Sequence, residues 1–288
     1  MKLIYVAGIE HCGSTLTDYL LSRHPAAIGL GEVASFFSPE HMKLYLQQWG
    51  SYPDARQCSC GKSWEDCEFW APLLPLNGAV SKAPMIEKYQ ALLQRVATLY
   101  GDGAIVVDSS KSLAGLNLLV DNRDQLGLQF DGLLAVLAIK DVRGFAASML
   151  RKEGAANSLR GIFGIFKRWR FRNGQFFDFF EQGRCRYYIS LYENLCADPA
   201  RLNHAVFGLL GCADRLPAHG GVARSHIAMG NKRFVANFDG KVSYDDAWKA
   251  SKRIRLAYFA HPASRRFNER LYALACDGTD AEAMGTRT

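Results

Sequence analysis

The sequence has no apolar run long enough to span a membrane. The apolar run GLLAVLAI at 132–139 is much shorter than the roughly 20 helical residues that cross a bilayer. The apolar run at the N-terminus has no basic leader before it and no small-residue cleavage site after it, so it does not match a secretory signal. We therefore expect a cytoplasmic protein with no stable membrane insertion.

The chain also lacks internal repeats and low-complexity linkers. We therefore expect one domain over residues 1–276, followed by a small, polar and flexible C-terminal tail at 277–288. An apolar fraction of 49% in 288 residues can bury a large core. The net charge of +7 favours an anionic ligand, but it does not distinguish a nucleotide from a nucleic acid, a glycan or a membrane surface.

A lysine is missing from a segment that has the pattern of a phosphate-binding loop. In GIEHCGSTL, Gly8 and Gly13 have the spacing Gly-x-x-x-x-Gly between an apolar run and a helical pattern. Consecutive backbone amides at such a helix N-terminus bind anions. Nucleoside triphosphatases have a lysine at the next position, whereas this chain has Ser14 and Thr15, so ATP hydrolysis is not expected. A strand-to-helix turn without a ligand is the alternative.

Short apolar runs alternate with amphipathic segments along the chain. Runs rich in Val, Ile and Tyr suit buried parallel strands, and apolar positions spaced by three or four residues predict helices. The alternation predicts an α/β protein whose central parallel sheet carries helices on both faces. The predicted strands are 2–8, 103–110, 133–141 and 186–194, and the predicted helices are 14–23, 84–100, 112–125 and 144–152.

The segment GIEHCGSTLTDYLLSRHP at 8–25 resembles the 5′-phosphosulfate loop of sulfotransferases that use 3′-phosphoadenosine 5′-phosphosulfate. Their pattern is a basic residue, then Ser-Gly-Thr-Thr, then a helix that often ends in His-Pro. The run from Cys12 through Gly13 and Ser14 to Thr15 stands at the last four positions of that pattern, and His11 stands at the basic one.

Three further segments resemble this family in the same order along the chain. IKDVRGFAASML is similar to its 3′-phosphate motif, with Lys140 at the usual arginine and Ser148 eight residues later. YYISLYENLCADP at 187–199 resembles a family strand with Tyr-Glu-Asp/Asn-Leu and a later Asp-Pro. HIAMGNKRF at 226–234 resembles a late His-x-x-x-Gly-Asn-x-x-Arg element near the nucleotide, which makes Arg233 a possible further phosphate ligand.

The resemblance implies a P-loop NTPase-like, three-layer α/β/α fold. It also implies transfer of a sulfuryl group from 3′-phosphoadenosine 5′-phosphosulfate to a hydroxyl or amine of a small-molecule, carbohydrate or peptide acceptor. The loop at 8–15 would hold the 5′-phosphosulfate, and Lys140 and Ser148 would hold the 3′-phosphate. No metal and no nucleic-acid partner is expected, and the sequence specifies neither the acceptor nor the oligomeric state.

Two residues are candidates for the chemical step. Glu32, in IGLGEVASF, matches the Gly-Glu position of the catalytic glutamate in tyrosylprotein sulfotransferases and is the expected base. Its alternative role is to interact with the N-terminus of a helix starting near Val33. Lys111, in VVDSSKS, resembles the family's strand-end lysine near the bridging oxygen, and its alternative is a solvated loop lysine. His24 is the second candidate for the base.

Three cysteines lie close together in CSCGKSWEDCEFW, at Cys58, Cys60 and Cys67. Three thiols suggest zinc, but their spacing is not the paired Cys-x-x-Cys of standard fingers and no fourth ligand is evident. The segment is similar to a loop of bacterial sulfotransferases, which places it near the acceptor site. A metal site, a disulfide and free packed thiols all remain open.

The segment at 161–186 is dense in aromatic residues and arginine. Such a segment can bind single-stranded nucleic acid or a membrane surface, but a long amphipathic helix with its Phe face buried is the preferred interpretation. Two other functions are considered for the whole chain. One is a P-loop kinase-like enzyme with Asp108 holding magnesium, and the other is a non-catalytic anion-binding protein.

Overall fold

The core of the protein is one six-stranded parallel sheet in the order β5-β4-β1-β3-β2-β6. The structure is a computed structural model that describes residues 1–52, 54–153, 158–212, 224–230 and 242–277. The strands are β1 (Lys2–Gly8), β2 (Ala27–Gly31), β3 (Ile105–Lys111), β4 (Leu133–Ile139), β5 (Arg186–Leu191) and β6 (Ser225–Met229).

Helices cover both faces of the sheet, so the fold is the expected three-layer α/β/α arrangement. The helices in the described residues are α1 (Ser14–Leu21), α2 (Val33–Phe37), α3 (Pro39–Trp49), α4 (Met85–Tyr100), α5 (Leu113–Asp121), α6 (Val142–Glu153), α7 (Leu159–Glu181), α8 (Tyr192–Ala197), α9 (Pro199–Leu209), α10 (Lys252–Ala260) and α11 (Pro262–Asp277). Short 3₁₀ helices lie at Ala71–Leu76, Phe130–Gly132 and Ala247–Ala250. None of these helices is long and apolar enough to cross a membrane.

The sequence pattern of the central strands follows from their burial on both faces. Every residue of β4 is buried, and so are six of the seven residues of β1. A strand covered by helices on both faces needs apolar side chains at consecutive positions, which removes the alternation typical of a half-exposed strand. This explains why continuous apolar runs predicted four of the strands.

The long aromatic segment forms helix α7, as the amphipathic interpretation predicted. Its apolar face is buried, with Phe166, Trp169, Phe176 and Phe180 each less than 5% exposed. The indole N–H of Trp169 donates to the carbonyl of Lys140 at 3.0 Å, which anchors the helix beside the end of β4. These buried aromatic residues therefore stabilise the core, whereas Phe171 on the other face of the helix is exposed.

Candidate active site

Four neighbouring strands bring the predicted site residues to one edge of the sheet. The loop from Gly8 to Gly13 follows β1, Glu32 follows β2, Lys111 ends β3 and Lys140 follows β4. Because β4, β1, β3 and β2 are adjacent and parallel, their carboxyl ends share this edge. Open α/β sheets bind ligands outside the carboxyl ends of their strands.

The loop after β1 depends on its two glycines. Gly8 has φ 146° and Gly13 has φ 94°. A Cβ atom on Gly8 would lie 2.7 Å from the carbonyl oxygen of Ala138, and one on Gly13 would lie 2.8 Å from the ring of Tyr192. Larger residues therefore do not fit either position. His11 between them also has a left-handed backbone, with φ 60°.

The loop leads directly into the N-terminus of helix α1. Gly13 is the N-cap residue, so no side chain at the N-cap position binds the first amides of the helix. Uncapped amides at a helix N-terminus are suited to an anionic ligand. Burial raises the pKa of the Cys12 thiol, although Lys111 opposes this effect. Cys12 is therefore a packed neutral thiol of the loop, while Ser14 and Thr15 begin the helix.

Glu32 and Lys111 form an ion pair beside this loop, with 2.5 Å between Oε1 and Nζ. Glu32 is the N-cap residue of α2, but its carboxylate makes no capping hydrogen bond. The other carboxylate oxygen accepts a hydrogen bond from Ser35 at 3.4 Å. Burial alone would lower the pKa of Lys111, but the charge and hydrogen bond of Glu32, together with the nearby Cys12 and Glu10, raise that pKa above its usual value. Neither side chain is a solvated surface group.

The backbone at Lys111 is strained. Its φ is 65°, and the N–H of Ser112 donates to the carbonyl of Ser110 at 2.8 Å across it. A hydrogen bond between residues two apart around a positive φ defines a rare form of γ-turn that is costly for residues other than glycine. This turn follows a register shift between β1 and β3, in which Tyr5 pairs with Asp108 but Ala7 pairs with Lys111.

Lys140 and Ser148 meet at the end of β4, with 3.2 Å between Nζ and Oγ. Lys140 is buried, and its ammonium also lies 3.3 Å from a carboxylate oxygen of Asp245. Arg151 binds the same carboxylate through both of its terminal nitrogens. The hydrogen bond from Arg151, aided by the charge of Lys140, lowers the pKa of Asp245 to about 2. Two cations thus converge on one carboxylate, and the hydroxyl of Ser148 lies beside one of them and donates to the carbonyl of Gly144.

Tyr192 connects this cluster to the loop after β1. The ammonium of Lys140 lies 4.5 Å from the centre of the Tyr192 ring, which is a cation–π contact. The same ring stands against Gly13. The loop and the Lys140 cluster are therefore two halves of one continuous site.

Two other sequence candidates have structural roles, and one cannot be located. His24 is buried against Phe207, with ring centroids 4.0 Å apart, and it lies before β2 at the opposite edge of the sheet, so it is not the base. The carboxylate of Asp108 accepts hydrogen bonds from Tyr89 and Ser110 in the core, so it is not available to magnesium. Arg233 lies outside the described residues.

No family model matches the sequence, and no curated protein matches it. Among solved structures, the chain is similar to the sulfotransferase domain from the Synechococcus PCC 7002 olefin synthase. The two are 17% identical with a TM-score of 0.57, and the match covers 94% of this chain and 93% of that domain. The chain has the sulfotransferase fold. The sulfotransferase domain from the curacin biosynthetic pathway is also similar, at 13% identity and TM-score 0.51, over 90% of this chain and 96% of that one.

Within this sulfotransferase fold, three residues of the site were not predicted from the sequence. Arg151 lies three residues after Ser148 on α6 and therefore on the same helical face, which helical spacing could have indicated. Asp245 is 105 positions from Lys140. Tyr192 lies in a segment matched to the family but had no predicted role. No local pattern indicates that either residue contacts Lys140.

Proposed function

We propose that the protein is a sulfotransferase that uses 3′-phosphoadenosine 5′-phosphosulfate as donor and a hydroxyl or amine as acceptor. The observation that carries the proposal is the cluster at the end of β4, where Lys140 and Arg151 both bind the carboxylate of Asp245 and the hydroxyl of Ser148 lies beside Lys140. A carboxylate is a smaller anion with the same preference for cations and hydroxyl donors as a phosphate, so this cluster fits the 3′-phosphate.

The loop between Gly8 and Gly13 fits the 5′-phosphosulfate. It offers the backbone amides at the N-terminus of α1, and its two glycines allow the positive φ angles and the close packing against Ala138 and Tyr192 that shape the loop. With Ser14 in place of the triphosphatase lysine, Lys111 is a strand-end cation whose charge acts on Cys12 in this loop. The donor, when bound, supplies the sulfuryl group.

Glu32 and Lys111 have complementary tasks in this proposal. Transfer forms a bond between sulfur and the acceptor oxygen or nitrogen and breaks the bond between sulfur and the bridging oxygen. Glu32 accepts the proton that the acceptor loses, while Lys111 stabilises the negative charge that develops on the bridging oxygen. Their ion pair holds both side chains at the site before substrates arrive, which reduces the reorganisation needed for reaction.

Binding of adenosine 3′,5′-bisphosphate tests the donor site without knowledge of the acceptor. Calorimetry should show tighter binding of the bisphosphate than of adenosine 5′-monophosphate or ATP. Lys140→Met should abolish this preference, because it removes the buried ammonium while keeping an unbranched side chain. The control is Lys249→Met, which makes the same charge change at an exposed lysine paired with Asp246.

If the protein binds the bisphosphate no more tightly than the monophosphate, the proposed donor is wrong, although the fold assignment is unaffected. If both lysine variants reduce binding equally, the effect is long-range attraction and Lys140 is not a direct ligand.

A further inference from the structure

Outside the proposed active site, the three clustered cysteines meet a histidine from a distant part of the chain. Cys58, Cys60 and Cys67 lie between α3 and α4, and His226 lies in β6. Their sulfur atoms and one ring nitrogen all lie within 4.8 Å of one another. All three cysteines are free thiols in the structure.

The distances in this cluster match the edges of a tetrahedron around zinc. Zinc–sulfur bonds of about 2.3 Å place two sulfur ligands about 3.8 Å apart. The sulfurs of Cys60 and Cys67 are 3.7 Å apart, and Nδ1 of His226 lies 3.3 Å from the sulfur of Cys67 and 3.8 Å from that of Cys58. The two sulfurs of a disulfide lie about 2.05 Å apart, which is much closer than the sulfurs of Cys60 and Cys67. A disulfide would also not explain why a histidine nitrogen faces these sulfurs.

The imidazole of His226 is held in the orientation that a metal ligand needs. Tyr100, the last residue of α4, lies 2.7 Å from Nε2 through its hydroxyl. Phe69 stacks on the ring at a centroid distance of 5.2 Å. Nε2 is therefore engaged with a hydroxyl while Nδ1 faces the sulfurs, which is the arrangement of a histidine ligand with an outer hydrogen bond.

The backbone around the cysteines also fixes their relative positions. Residues 57–63 form a tight turn closed by an antiparallel bridge between Gln57 and Ser63. The N–H of Cys58 donates to the carbonyl of Lys62 at 2.8 Å, and the N–H of Gly61 donates to the carbonyl of Cys58 at 2.9 Å. These hydrogen bonds keep Cys58 and Cys60 on one short, closed turn.

We propose that Cys58, Cys60, Cys67 and His226 bind one zinc ion at a structural site. Three thiolates and an imidazole in tetrahedral positions are the ligand set that zinc prefers, whereas magnesium and calcium require oxygen ligands. The four protein ligands complete the coordination, so the site has no open position for a substrate. It joins the cysteine turn to β6, whose Met229 carbonyl accepts the N–H of Glu32 at 3.1 Å.

The test is the metal content of the full chain, purified without chelators and with any affinity tag removed. Elemental analysis should find one zinc ion per chain. Replacement of zinc by cobalt should give the visible absorption of a tetrahedral cobalt thiolate. Removal of zinc by a chelator should lower the melting temperature, and added zinc should restore it.

Cys60→Ser is the variant to compare, because Cys60 is exposed and its replacement leaves the core intact. Its zinc affinity, measured by competition with a coloured chelator, should fall at least about tenfold. Cys196→Ser is the matched control, since this thiol lies far from the cluster in sequence and is only partly buried. Circular dichroism should show that both variants are folded.

Three results would overturn the proposal. One is a purified protein without zinc that gives no cobalt thiolate spectrum. Another is equal zinc affinity in Cys60→Ser and the unmodified protein. The third is a disulfide between Cys60 and Cys67 in the freshly purified protein, detected by mass spectrometry. None of these measurements depends on sulfuryl transfer, so their outcome is separate from that of the proposed function.

Discussion

At the scale of single residues, Lys111 joins a strained backbone to a charged side chain. Its positive φ costs about 1–2 kcal/mol for a residue with a Cβ atom. The ammonium of the residue in this turn binds Glu32, so the strained backbone positions one partner of the ion pair at the site. Glycine would relieve this strain and alanine would not.

Two substitutions at this position separate the strain from the charge. The free energy of unfolding of Lys111→Gly should be about 1 kcal/mol higher than that of Lys111→Ala, because only glycine adopts this φ readily. Both variants should lose roughly 10²–10³-fold in turnover of an acceptor found by screening, since both lose the cation. Urea denaturation gives the first comparison. Equal stabilities of the two variants would show that the turn is not strained.

Asp18 is a buried acid that forms hydrogen bonds with residues next to the site. Its carboxylate accepts hydrogen bonds from Ser109 at 2.7 Å and from the N–H of Gly31, just before Glu32, at 3.1 Å. Burial raises the pKa of Asp18 to about 7, although these hydrogen bonds and one from Ser22 oppose the shift. The folded protein therefore holds a proton that the unfolded chain loses near pH 4.

This difference predicts how stability depends on pH. Between about pH 4 and about pH 7, the unfolding free energy of the unmodified protein should fall as pH rises, because the folded state binds the extra proton. Relative to Asp18→Asn, which cannot titrate, the loss should reach a few kcal/mol at about 1.4 kcal/mol per pKa unit. Urea denaturation across this pH range measures it. Parallel profiles for the two proteins would contradict the raised pKa.

At the scale of elements, the loop after β1 contains a histidine where the sulfotransferase pattern has a permanently basic residue. His11 lies in the loop between the two glycines and has a left-handed backbone conformation. A histidine next to bound phosphate groups is drawn toward its charged form. The affinity of the loop for the donor should therefore depend on pH near neutrality.

We expect adenosine 3′,5′-bisphosphate to bind more weakly as pH rises from about 6 to about 8. His11→Arg should remove the contribution of the protein to this dependence, because its guanidinium stays charged. The ligand's own phosphates titrate equally in both proteins, so calorimetry of the two across the range isolates His11. The same pH dependence in both would show that His11 is not a ligand.

Elements with strong local patterns could be predicted from the sequence, and elements defined by distant partners could not. Continuous apolar runs indicated β1, β3, β4 and β5 because these strands are buried in the sheet. Strand β6 has only five residues and a mixed composition, so no pattern marked it. Lys140 and Ser148 were identified through the resemblance of their segment to the family's 3′-phosphate motif, in which one strand end and the following helix fix the separation of the two residues. The segment 226–234 was matched to a family element near the nucleotide, but the ring of its first residue, His226, lies among the cysteines.

At the scale of the whole molecule, a distant segment supplies the carboxylate at the Lys140 cluster. Asp245 precedes the 3₁₀ helix at Ala247–Ala250, far along the chain from β4. Its carboxylate interacts with Lys140 and Arg151, the cations assigned to the donor's 3′-phosphate. If the proposed function holds, the phosphate must displace this carboxylate or share the cations with it.

Asp245→Asn should therefore bind adenosine 3′,5′-bisphosphate at least about tenfold more tightly, because the competing charge is lost. Binding of adenosine 5′-monophosphate should change little, since it lacks the 3′-phosphate. Asp246→Asn is the control, with the same change of charge at a neighbouring, exposed position. Weaker binding to Asp245→Asn would show instead that Asp245 orients Lys140 for the ligand.

The turn at residues 57–63 also determines how the sheet ends. The N–H of Ser59 donates to the carbonyl of Ile227, and the N–H of Ile227 donates to the hydroxyl of Ser59, so the outer edge of β6 is occupied by the chain itself. An uncovered edge strand is a template on which other chains add strands. Oxidation that detaches this turn would thus expose the edge of β6 as a starting point for self-association, and aggregation would accompany damage to the thiols.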